Sequence, residues 1–178
     1  MSRDFLPPAT SRLLLTSLCD FVEDSVRHYP FPSTDGAFRD VRVFLHGLPE
    51  EQESEPYPFV IVRWMDGETA SEPDGQTILR DTVMLGIGVY SPKDQRQAGI
   101  LCAELLDCLR RALWRKRLLA ERFELVEPLR SSGVESGRQM HRFHLVTIET
   151  VWNYAWPPKA LDNPDISAMC GGRARVLP

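Results

Sequence analysis

The chain has 178 residues, 43% hydrophobic and 26% charged, and a formal net charge of −4. That length suits one domain with a sizeable core, and the acidic balance argues against a chain that wraps nucleic acid as a whole. Cys19, Cys102, Cys108 and Cys170 form no C-x-x-C, which argues against a structural zinc site or a disulfide framework and fits a reduced compartment.

Residues 1–9, with Pro7-Pro8, read as an irregular N-terminal arm. From about Thr10 the periodicity predicts a helix whose stripe is Leu14, Leu18, Phe21, Val22, Ser25 and Val26, ended by Pro30 and Pro32. Its apolar run Leu13-Leu14-Leu15 is followed by Asp20, Glu23 and Asp24, unlike a signal peptide, and no stretch has the length of a membrane-spanning helix. A short strand, Val41 to His46, leads into an acidic loop that carries Glu50, Glu51, Glu53 and Glu55. The strand Tyr57 to Trp64 follows, apolar on both faces for most of its length. A second acidic loop, Asp66 to Gln76, holds Asp66, Glu68, Glu72 and Asp74.

The next strand, about Arg80 to Tyr90, contains Gly86 and Gly88 just before a helix. A phosphate-binding turn would need G-x-G-x-x-G opening the helix, but Ser91 stands at the third position and both glycines lie inside the strand. Alternation puts Val83, Leu85, Ile87 and Val89 on one face and Met84, Gly86, Gly88 and Tyr90 on the other. The glycines thus predict a shallow groove beneath a helix or a neighbouring chain. The turn itself looks like a helix start, with Ser91 as N-cap and Pro92 at the first helical position.

The long helix is predicted over about Pro92 to Ala120, with Ala98, Leu101, Leu105, Leu109 and Ala112 or Leu113 buried. Its far end is basic: Arg110, Arg111, Arg115, Lys116 and Arg117. A strand at Phe123–Val126, a turn-rich linker from Pro128 to Arg138 and a last strand from Met140 to Tyr154 complete the domain. That strand is apolar on both faces, so both need cover. Residues 156–178 have no period and read as an extended C-terminal arm. The expected fold is α+β: a single mostly antiparallel or mixed β-sheet packed against two main α-helices, in one domain over residues 10–155.

No motif carries chemistry. His141 and His144, three apart on a strand, face opposite sides and cannot share a metal without a bulge. The residues two before Lys93, Lys116 and Lys159 are Ser91, Trp114 and Pro157, so no E-x-K nuclease signature is present. No nucleophile elbow or H-E-x-x-H occurs. The expectation is a protein that is no enzyme and takes no cofactor and no catalytic metal. The basic helix end has a plain explanation, because cations there oppose the negative end of the helix dipole. Yet the acidic segments Glu50–Glu55 and Asp66–Asp74 and the basic segment Arg110–Arg117 lie on one chain. Copies could pair head to tail through them, which makes their charged residues candidates for a subunit interface or a lumen.

The phrases Tyr57-Pro58-Phe59-Val60-Ile61-Val62-Arg63, Val83–Ser91, Gly99 through Leu113, Phe123 to Leu129 and the strand ending Thr150-Val151-Trp152, in that order, resemble the tail-terminator (tail-completion or minor tail) proteins of tailed bacteriophages. The resemblance covers about residues 10–155. It implies a homohexameric ring in the virion, made in the host cytoplasm, that caps the head-proximal end of the tail tube. Its partners would be further copies of itself, the tail tube protein and a head-completion or connector protein, with DNA passing through unbound. The competing expectations are a head-closure or connector ring of the phage neck, and a non-phage small α+β binding domain.

Overall fold

The computed structural model describes residues 10–27, 29, 31–32, 38–48, 57–71, 77–91, 95–133 and 143–156. The arms 1–9 and 157–178, Pro92, and the acidic residues Glu50, Glu51, Glu53, Glu55, Glu72 and Asp74 lie outside them.

Helix α1 is Thr10–Val26. The short strands β1, Phe31–Pro32, and β2, Phe38–Arg39, pair with each other, and β3, Arg42–Leu45, enters the main sheet. A long hairpin follows, β4 Phe59–Ser71 and β5 Thr77–Tyr90, then helix α2, Gln95–Arg115. Strands β6, Leu118–Leu119, β7, Phe123–Gly133, and β8, Phe143–Trp156, end the described chain. The main sheet runs β3-β4-β5-β8-β7-β6. Only β3 and β4 are parallel, so the sheet is mixed and mostly antiparallel, and the fold is α+β.

Both helices cover one face. On β5, Val83, Leu85, Ile87 and Val89 are fully buried, beside Val60 and Val62 of β4 and Ile148 and Trp152 of β8. They share one core with Leu14, Leu18, Val22 and Val26 of α1 and with Ala98, Leu105, Leu109 and Leu113 of α2. The i, i+4 spacing of those leucines aligns them on one side of each helix, which is why the periodicity of the sequence found them. Of the two candidates at the end of the α2 stripe, Leu113 is the buried one and Ala112 is half-buried. Polar groups within the core are paired: Trp152 Nε1 donates to Thr150 Oγ1 at 2.9 Å, and Thr150 Oγ1 donates to the Val83 carbonyl at 2.8 Å.

Among the described residues no helix lies over the opposite face. Leu145, Thr147 and Val151 of β8 lie half-buried there and Glu149 is exposed, with Gly88, Gly86 and Met84 of β5 beside them in register. Of the expected cover for the glycines, a helix or another chain, no helix lies over them among the described residues; Gly88 is covered within the sheet itself, while Gly86 is left half-buried. Phe59, the cross-strand partner of Gly88, lays its ring over that glycine and is only 4% exposed. Tyr57 stacks on Phe59 at 5.1 Å and on Tyr90 at 5.8 Å, which closes the cluster.

Four strand boundaries move outward. Strand β5 starts at Thr77 rather than about Arg80, while α2 ends at Arg115 rather than about Ala120, with Leu118–Leu119 in strand β6. Asp66–Ser71, expected in a loop, continues β4 past a register shift between Trp64 and Asp66. The expected linker from Pro128 is strand as far as Gly133, with a shift between Val126 and Arg130 that accommodates the proline. Trp156, assigned to the C-terminal arm, ends β8 opposite Thr77.

Candidate functional site

Two surface regions carry those charged residues singled out in the sequence that are described, and they lie on different parts of the sheet. The first is the outer half of β4. Because β3 pairs only with Phe59–Val62, the edge of β4 from Arg63 onward has no strand beside it among the described residues. Such an edge presents unpaired backbone donors and acceptors to any approaching strand. Trp64 is 40% exposed and Met65 48% exposed at the bulge. Glu68 does not stand free: its carboxylate meets Arg80 Nη1 at 2.7 Å, and Arg80 Nε donates to Asn153 Oδ1 at 3.0 Å. Cross-strand pairing thus ties Glu68 into the sheet and neutralises it locally. Asp66 accepts from the Gly67 N–H at 2.8 Å across the bulge. Beside the edge, Met65, Met84, Arg130, Ser131, Ser132, Thr147 and Glu149 line a hollow of about 550 Å³ on the uncovered face.

The second region is the C-terminal end of α2. Asp107, Arg110, Arg111, Trp114 and Arg115 form one wall of a groove of about 480 Å³, and Glu127, Pro128 and Leu129 of β7 form the other. The helix places Arg110, Arg111 and Arg115 together because residues a turn apart share a side. Arg111 Nε donates to the Asp107 carbonyl at 3.2 Å, which binds one guanidinium to the helix backbone. Arg110 lies 3.9 Å from the Asp107 carboxylate, a loose exposed pair. Among the described residues Arg115 has no ion-pair partner. Arg117 pairs with Glu127 and stacks 4.7 Å above the Trp114 ring. That takes up the acid on the β7 side and leaves the groove with excess positive charge beside an indole that is 52% exposed. The groove itself was not legible: the sequence marks the basic ridge, but only the fold brings Pro128 and Leu129 against it.

His144 turns out to be packing. Its ring lies under Gly99 of α2, where a Cβ would come 3.1 Å from Cε1. Among the described residues no three His, Cys, Asp or Glu side chains converge as metal ligands. Burial pushes the Cys102 thiol up to about 11, and burial with the nearby Asp20 and Glu23 raises that of Cys19, so both disfavour the thiolate that nucleophilic chemistry needs. Neither models of known protein families nor curated proteins give a match to this chain.

Proposed function

We propose that the chain is a non-catalytic virion subunit that forms a ring at the head-proximal end of a phage tail tube, ends tube growth and offers a docking face to the head. One observation carries the reading: among the described residues, helices cover one face of the sheet only. The other face, together with the outer edge of β4 and the exposed Trp64 and Met65, remains available to other chains. A surface of that kind suits assembly, since an open sheet edge and adjacent apolar residues bind by strand addition and burial. The resemblance of the element order and short apolar phrases to tail-terminator proteins is what supports the specific setting.

Deleting the gene from its phage tests the reading. The expected result is full heads and separate tails of abnormal length that do not join, seen by electron microscopy and restored by purified protein. Complete, infectious particles from the deletion would overturn it.

A further inference from the structure

We propose that the groove between α2 and β7 seats the acidic stretch Glu50–Glu55 of the next copy in the ring. The inference rests on the ring reading above and names the contact that joins its subunits.

The groove is cationic and partly apolar. Arg110, Arg111 and Arg115 line it beside Trp114 and Leu129, while of its two acids Glu127 is held by Arg117 and Asp107 lies 3.9 Å from Arg110. An occupant with several carboxylates in a short stretch fits that chemistry, because each guanidinium can grip a carboxylate bidentately. The chain contains such a run: Glu50, Glu51, Glu53 and Glu55, between Pro49 and Pro56.

The run cannot lay its backbone into the groove of its own chain. Leu48 and Tyr57, which flank it, belong to the β3/β4 side of the sheet. From β3 to β7 is four strand spacings, about 19 Å at roughly 4.8 Å each. Tyr57 is three spacings away and also displaced along the strands, because the register sets Leu129 between the levels of Arg63 and Asp66, so its separation is about 20 Å or more. A path from Leu48 to the groove and back to Tyr57 therefore needs about 39 Å, whereas the nine residue steps between them span about 32 Å fully extended. The segment leaves one edge of the sheet and the groove borders the other, so copies passing segment to groove in one sense make a heterologous contact, the kind that closes rings.

The test uses the full chain at about 0.1 M salt, where exposed charges still act over ~10 Å. Three proteins are compared by native mass spectrometry and light scattering: wild type, R110E/R111E/R115E, and E50K/E51K/E53K/E55K. Each variant alone should assemble roughly tenfold more weakly than wild type. An equimolar mixture of the two should recover assembly, because in an alternating ring a reversed groove meets a reversed segment at every second contact and a native groove meets a native segment at the others. Recovery also shows that both variants are folded. The groove proposal is overturned if the groove variant assembles as wild type does, or if the mixture stays as weak as its parts while both melt normally. It is overturned in favour of nucleic acid if a labelled single-stranded oligonucleotide binds wild type, fails to bind the groove variant, and assembly is the same in both. In each of these cases wild-type rings persist and the ring reading stands. A wild-type chain that remains monomeric at every concentration and in the presence of tail tubes overturns both.

Discussion

A Cβ at Gly88 would lie 2.8 Å from Cε2 of Phe59 and closer still to Cζ, whereas one at Gly86 would meet only the Ile61 Cβ at 3.9 Å. The two glycines look alike in the sequence, and the structure separates them by what lies across the strand. Gly88→Val should force the Phe59 ring off its seat and cost about 1–3 kcal/mol by overpacking. Gly86→Ala should change stability by no more than about 1 kcal/mol, with a gain allowed because glycine is a poor strand residue. Denaturant midpoints of the two variants check this pair, and equal costs would mean that the ring does not distinguish them. A second residue-scale prediction concerns Tyr154, whose hydroxyl donates to the buried Asp81 at 2.9 Å. Burial is the main cause that pushes its pKa up to about 12, with Asp81 adding and Ser11 opposing. A phenol that holds its proton more tightly folded than unfolded stabilises fully below the ordinary value of 10, and that contribution is lost as pH rises toward 12. Tyr29, raised to about 12 by burial and then by its bond to Glu104, acts in the same sense. Stability should therefore fall between pH 10 and 12, and Tyr154→Phe should flatten that fall, measured by urea unfolding across the range.

Element boundaries show what sequence periodicity can and cannot carry. The two helices were legible because leucines a turn apart leave no other reading: Leu105, Leu109 and Leu113 are all fully buried. Asp66–Ser71 was not legible as strand. Asp and Gly are poor strand formers, and what holds them there is long-range, the pairing of Glu68 with Arg80 some twelve residues on and of Arg80 with Asn153. Pro128 misled for a related reason, since the bulge that admits a proline in β7 is a property of two strands and not of one. The candidate site divides in the same way: the cations of α2 were visible, and their apolar wall from β7 was not. At this scale Gly99 offers a test of how α2 seats on β8. In an open helix Gly→Ala gains about 1 kcal/mol. Here the new Cβ would press on the His144 ring at 3.1 Å, so Gly99→Ala alone should fall short of that gain. In a His144→Ala background the ring is gone and the gain should appear. A double-mutant cycle of melting free energies measures the coupling, and additive effects would show that the helix already rides clear of the imidazole.

At the scale of the molecule, charge and apolar surface would have different parts in the proposed ring. The described cations of the groove are exposed, and exposed pairs contribute only about 0–1 kcal/mol each, too little to hold a ring together. In the proposed ring the affinity would come from apolar burial, for which Trp64, Met65 and Trp114 are exposed large side chains in the two regions described. Charge would act earlier, by orienting copies as they meet. The two parts predict opposite responses to salt. Screening shortens from about 10 Å at 0.1 M to about 3 Å at 1 M, so added salt should slow wild-type association. The gap in rate between wild type and R110E/R111E/R115E should narrow over the same range. Dissociation of formed rings should hardly respond to salt, because apolar contact governs it, whereas Trp114→Ala should speed it at any salt concentration. Stopped-flow light scattering for association and subunit exchange for dissociation separate the two. If wild type and the triple variant associate at one rate in low salt, the arginines do no more than face the negative end of the α2 dipole.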